Sequence, residues 1–294
     1  MPLSIEALSS AFVSCGVRCG GVLLVHASIN SLSAAPDSPP PSPDDVLDAL
    51  LDALGPQGTL LIPTLSYLFV SEAQPVFNVT TTPSNLGALS SAMLARKGAS
   101  RSLHPTHSVA AIGPLAQELT QSHKNDRTPV GPNSPFSLLK NHNGQVAFLG
   151  CGSRCNTMIH GVEECILPTP PPYLLLPNTI NYTLIDENGV ESVVEHRRHD
   201  FRAMGQRYEK LTELVPQGSY KKTPLFRGCF EIFDAKALWD TAVDVITRDP
   251  YALVCSCPPG EEEDHHLKTT SRDGIFYYSY TVGPRAKETE KGHS

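Results

Sequence analysis

Apolar residues over positions 5–15 predict a short helix ending near Gly16, and a turn at Gly20-Gly21 leads into Val22-Leu23-Leu24-Val25-His26, a compact strand. The Pro- and Ser-rich stretch from Ala34 to Pro43 is a loop. Val46, Leu47, Leu50, Leu51 and Leu54 then recur at helical spacing behind Asp44 and Asp45, acidic residues suited to a first turn. Gly58 to Thr64 forms a second strand. A loop to about Thr82 precedes a helix that starts at Pro83-Ser84-Asn85 and runs from Leu86 to Ala95. Strands at Ser108–Ile112 and Gln145–Leu149 enclose a helix from Pro114 to about His123. Asn181–Ile185 and Val190–Glu195 flank Asp186-Glu187-Asn188-Gly189, a hairpin turn signal, and helices are expected near 199–214 and 234–247. This alternation predicts an α/β fold: a single domain over 1–257 with a central mixed sheet flanked by helices, plus a C-terminal hairpin and helices. Residues 258–294 read as a polar, partly mobile tail.

Length and composition sharpen this picture modestly. The 294 residues suffice for a sizeable core, and a hydrophobic share of 40% with a formal net charge of −7 describes an ordinary globular chain. Clustered cations for a phosphate backbone are missing, so no nucleic-acid partner is expected. No apolar run approaches the roughly 18 residues of a membrane span, and the N-terminus lacks a secretory pattern, so no membrane partner and a cytoplasmic location are expected. Eight cysteines are too dilute for a stapled secreted scaffold. The spacings Cys151/Cys155 and Cys255/Cys257 match no CxxC knuckle, which favours incidental thiols over a metal site.

The chemistry gathers in Arg101-Ser102-Leu103-His104-Pro105-Thr106-His107-Ser108 and in Asn156-Thr157-Met158-Ile159-His160-Gly161-Val162-Glu163. In this order they supply phosphate donors, an imidazole base, a hydroxyl and a carboxylate, the needs of acyl transfer to an amine. Arg101 and Ser102 can meet phosphate oxygens, and Ser28, Asn30 and Ser31 can add donors just after the first strand. His160 is the candidate base, with Thr157 at i−3 and Glu163 at i+3 on its face if the segment is helical. Glu163 can then hold a cationic substrate or orient the imidazole. The plainer alternative makes Thr157 a helix cap and Glu163 part of a solvated face. His104 and His107, on either side of Pro105, read as structural hydrogen-bonding residues.

Together the motifs resemble the aminoglycoside 3-N-acetyltransferase family, the antibiotic N-acetyltransferase fold, from about Gly16 to Val254. The resemblance rests on Val25-His26-Ala27-Ser28-Ile29-Asn30-Ser31-Leu32, on Gly58-Thr59-Leu60-Leu61-Ile62-Pro63-Thr64 and on Thr82-Pro83-Ser84-Asn85-Leu86-Gly87. It continues through Arg101, Ser102, His104, Pro105 and Ser108, through Gly131-Pro132-Asn133-Ser134-Pro135-Phe136, and through Thr157, His160 and Glu163. It implies direct acetyl transfer from acetyl-CoA, as acyl-donor cosubstrate, to an amino group, without an acyl-enzyme and with no metal. His160 would be the general base, Thr157 its partner at the thioester, and Glu163 the contact to the amine. His26, Ser28, Ser31, Arg101, Ser102, His104, Ser108, Ser134 and Phe136 would line the CoA tunnel. The expected partners are CoA and a small-molecule amine, with a homodimer allowed. Ala27 stands where the family usually has Ser, Ser33 and Ala34 where Gly is usual, and Asn78 where Asp is common. Two other classes stay open: a metal-dependent hydrolase built on His104, His107, His160 and Glu163, and a relic of the fold that binds CoA without catalysis.

Overall fold

A computed structural model describes residues 4–33, 39–165, 174–200, 205–255, 267–272 and 275–280. In chain order the strands are β1 Val22–Ala27, β2 Thr59–Pro63, β3 Val76–Asn78, β4 Ser100–Arg101, β5 Val109–Ile112, β6 Gln145–Leu149, β7 Leu175–Ile185, β8 Glu191–His199, β9 Gly205–Gln206, β10 Tyr220–Leu225, β11 Gly228–Asp234, β12 Val254–Cys255, β13 Leu267–Arg272 and β14 Ile275–Tyr280. The α-helices are α1 Ile5–Cys15, α2 Pro43–Leu54, α3 Ala88–Ala95, α4 Ala116–Thr120, α5 Pro135–Leu138, α6 Met158–Cys165 and α7 Ala235–Arg248. The helix ends follow local chemistry. Ser4, Ser42 and Asp234 accept backbone N–H groups at the starts of α1, α2 and α7, and Gly16 takes a left-handed φ of 112° after α1.

Seven strands form a mixed sheet in the order β10-β11-β6-β1-β2-β5-β4. β6, β1 and β2 run parallel in its centre, and β5 and β11 join them antiparallel. The two-residue alternation of strand side chains sorts the core into two faces. Val22, Leu24, Leu61, Val146 and Phe148 pack with α5, α6 and α7, while Leu23, Val25, Leu60, Ile62, Ala147 and Leu149 pack with α1, α2 and α3. A second sheet, β3-β7-β8, covers a small core of Val70, Phe77, Val79, Ile180, Tyr182, Leu184 and Val194. The carboxyl ends of β1 and β6 lie side by side at the point where strand order reverses from β1, the position that α/β folds reserve for ligands.

Several expectations change. No α-helix spans 199–214: Gly205–Gln206 pairs with Val254–Cys255, Tyr208–Glu213 is a 3-10 turn, and 201–204 fall outside the described residues. Tertiary pairing overrides the helical spacing there because Tyr208 is drawn into the core, 1% exposed. The hairpin β10–β11 and the short strand β3 lie where no strand was predicted. The Pro-rich segment 168–172 and positions 258–266 and 281–294 are outside the described residues. The C-terminal unit, 257–294, carries an antiparallel ladder between β13 and β14.

Five imidazoles share one buried polar cluster. His104 Nδ1 accepts the amides of Thr106 and His107, so its Nε2 carries the proton that bridges 2.8 Å to His196 Nε2. His123 stacks on His104 at 4.1 Å, and His107 lies 5.0 Å from His199. Burial holds His123 and His196 down at about 3, and His104, His107 and His199 well below their ordinary value. His26, stacked on Phe148 outside this cluster, is lowered to about 4 for the same reason.

Two outcomes are expected. Because these imidazoles stay neutral in the fold, the unfolded chain binds more protons as pH falls. Their contribution is complete above the unfolded value of about 6.5 and is lost below it, at about 1.4 kcal/mol per imidazole per pH unit. Burial raises Glu164 to about 8 and Asp126 to about 6, and these two carboxyls act in the opposite direction over their own ranges. With six imidazoles against two carboxyls, the urea midpoint should drop steeply from pH 6.5 to 5; a flat midpoint would contradict a neutral cluster. Gly150 tests the strand-end geometry separately. It follows β6 with φ 75°, and a Cβ there would sit 1.8 Å from Ser31 Oγ. Gly150→Ala should destabilise by about 2 kcal/mol or more and displace the Ser31 loop, read as a lower thermal midpoint.

Candidate active site

The segment Gly150 to Thr157 carries the chain from the end of β6 to α6, whose Met158, Ile159 and Val162 anchor it in the sheet-facing core. That anchoring sets His160 and Glu163, one helical turn apart, together in a nearly dry position: His160 is 5% exposed and Glu163 fully buried. His160 Nδ1 lies 2.9 Å from Glu163 Oε2, and Tyr208 donates its hydroxyl to the same oxygen at 2.9 Å. Since a carboxylate only accepts, Nδ1 bears the ring proton; the Tyr208 oxygen, 3.0 Å away, shares it. This tautomer leaves a lone pair on Nε2, where the Gln206 side-chain amide sits at 2.9 Å. The arrangement is an oriented imidazole with its basic nitrogen turned away from the carboxylate.

Thr157, 9% exposed, immediately precedes α6, and its carbonyl accepts the His160 amide at 3.2 Å. The predicted trio is therefore brought together. Of the two roles the sequence offered Glu163, holding the amine, which the family resemblance implied, or orienting the imidazole, the geometry fits the second, with the carboxylate behind His160 and no exposed surface.

The predicted cosubstrate residues divide into two groups. His26, Ser28 and Ser31 lie at the carboxyl end of β1. His26 Nε2 is buried with no hydrogen-bond partner, Ser28 is exposed, and Ser31 bonds the carbonyls of Ser28 and Gly150. The others are committed within the protein. The Arg101 guanidinium donates to the carbonyls of Thr64, Val79 and Thr82 and to Ser108 Oγ, and packs over Phe77. Ser102 bridges His123 and the Val109 amide, His104 belongs to the imidazole cluster, and Ser108 bonds the Thr64 carbonyl. Ser134 caps α5, and Phe136 is fully buried in the core. Among the described residues, no group of three or more His, Cys, Asp and Glu side chains is arranged to hold a metal ion, so His104, His107, His160 and Glu163 do not form a metal centre.

Sequence reasoning missed Gln206 and Tyr208 because their segment reads as a helix. It also missed Glu164 and His199, which bond one another at 2.6 Å beside His160. The available signal was weak: a second carboxyl directly after Glu163 and a histidine ending a strand.

The family model for aminoglycoside 3-N-acetyltransferase matches residues 24–247. Aminoglycoside N(3)-acetyltransferase IV from Salmonella sp is 31% identical over 259 residues, covering 86% of this chain and 90% of that protein. The crystal structure of the aminoglycoside acetyltransferase AAC(3)-IVa apoenzyme superposes with a TM-score of 0.71 at 26% identity, covering 90% of this chain and 95% of that one. A mutant of AAC(3)-IVa solved in complex with apramycin gives 0.67 at 28% identity, covering 88% and 96%. On the extent of these matches, with its hydrogen-bonded imidazole at the start of α6, the chain belongs to the aminoglycoside 3-N-acetyltransferase family.

Proposed function

We propose that the protein transfers the acetyl group of acetyl-CoA to an amino group of an aminoglycoside or a similar cationic amine. The observation that carries this reading is the His160 pair: Nδ1–H held by Glu163 and Tyr208, and Nε2 left basic. An amine is protonated at neutral pH and attacks only after losing that proton. His160 Nε2, once the Gln206 amide yields its place, receives a proton from the attacking nitrogen. Glu163 and Tyr208 then steady the resulting imidazolium. The nitrogen lone pair forms the new C–N bond, the C–S bond breaks, and the imidazolium passes its proton to the departing sulfur, which leaves as the free thiol and restores the neutral base. In this reading Thr157, immediately before α6, meets the thioester carbonyl.

Acetyl-CoA supplies an activated acyl carbon when bound. The end of β1 suits it better than the Arg101 loop does, because His26 offers an unpartnered buried nitrogen and Ser28 an exposed hydroxyl. For the acceptor, the groove lined by Arg154, Glu209, Glu213, Lys222 and Glu231 lies beside Gln206, whose carbonyl accepts from Arg154. Its three carboxylates are balanced by three cations, Arg154, Lys210 and Lys222, the last paired with Glu231 at 3.1 Å. A cytoplasmic enzyme fits this reading.

His160→Ala is expected to lower kcat by about a hundredfold to ten-thousandfold while calorimetric CoA affinity stays near wild type. Parallel loss of CoA binding would remove His160 from the base role. Glu163→Gln disturbs the tautomer and is expected to lower kcat by roughly tenfold or more, with a smaller change in the KM of the amine. A change confined to the amine KM would return Glu163 to substrate contact.

A further inference from the structure

Glu163 is one of two adjacent buried carboxyls on α6. The side chain of the other, Glu164, is 2% exposed, and its two oxygens share the Val130 amide at 3.1 Å. Its Oε1 also lies 2.6 Å from Nε2 of His199, the last residue of β8. Positions three and four after His160 both fall on its helical face, so the two carboxyls diverge: Glu163 turns back to Nδ1, and Glu164 passes beside the ring to β8. The His199 ring rests 4.5 Å from the His160 ring, centroid to centroid, with the planes at 48°.

An imidazole held at Nδ1 alone can still tilt about that hydrogen bond, and a tilt moves Nε2 relative to the attacking amine. A ring packed against its face removes this freedom. We propose that His199, aimed by Glu164, is a positioning residue for the base: its ring backs His160 and fixes the plane in which Nε2 meets the amine. This inference rests on the acetyl-transfer reading for its kinetic consequence, though not for the pairing itself.

The pair acts by shape and hydrogen bonding because it carries no net charge. Burial pushes Glu164 up to about 8 and His199 well down, so near pH 7 a carboxylic acid faces a neutral imidazole. The titratable groups around it are His160, Glu163 and Cys165 from α6, His107 from the loop before β5, His196 from β8, and Asp126 from the loop before α5.

The test combines kinetics with imidazole NMR on histidine-labelled full-length protein. His199→Ala and Glu164→Leu should each lower kcat by about tenfold to a hundredfold with the KM of acetyl-CoA within about twofold. Glu164→Gln, which keeps a donor for Nε2 and an acceptor for the Val130 amide, should recover most of the loss seen in Glu164→Leu. In the wild type the His199 ring signals should show an inflection near pH 8 that disappears in Glu164→Gln. Wild-type kcat in folded His199→Ala would overturn the proposal, as would equal losses in Glu164→Gln and Glu164→Leu or an unchanged inflection in Glu164→Gln. The ring signals are read in resting protein. If the wild type acetylates no amine, they still decide whether the pair exists, and only the transferase reading falls.

Discussion

A carboxyl sealed away from water must find its hydrogen-bond partners inside the protein, and α6 carries two in succession. Glu163 finds the His160 ring proton and the Tyr208 hydroxyl; Glu164 finds His199 and the Val130 amide. These requirements pull three segments toward one helix: the end of β8, the loop before α5, and the 3-10 turn Tyr208–Glu213. The site is thus assembled by the need to satisfy buried acids, and the His160 imidazole inherits its orientation from that need.

The sheet supplies the place. The parallel strands β6, β1 and β2 end on one edge, and the chain leaves β6 through Gly150, whose missing Cβ lets Ser31 approach. Both the loop after β1 and the lead-in to α6 therefore start from the same strand ends. The carboxyl ends of neighbouring parallel strands are where α/β sheets place their ligands. Neutral imidazoles fill the adjacent space without adding charge beside the base.

Much of the central sheet was legible in the sequence. β1, β2, β5 and β6 are short apolar runs between turn residues, and α1, α2 and α7 repeat apolar positions at helical spacing, so local pattern and tertiary demand agree. The 199–214 segment was misread because its apolar spacing suits a helix, while the fold draws on Tyr208 for its hydroxyl and on Gly205–Gln206 for a strand pair. Arg101 was legible as important but not in its role: a guanidinium that can bind phosphate can equally fasten three loop carbonyls. His160, Glu163 and Thr157 were legible as neighbours because their spacing is local to one helix. Gln206, Tyr208 and His199 were not, since they reach the site through folding over 39 to 48 residues of chain.

The β7–β8 hairpin has a tolerant end and an intolerant one. Its pairing jumps register between Leu175 and Thr179, opposite the stretch that delivers His196 and His199 to the interior although they are an odd number of residues apart. At the other end the turn at Asn188-Gly189 is exposed, and nothing crowds Gly189. Evolution can therefore lengthen or trim this hairpin at its tip and leave the site intact. An insertion of one residue in β8 between His196 and His199 would turn His199, which packs on the His160 ring, out toward solvent.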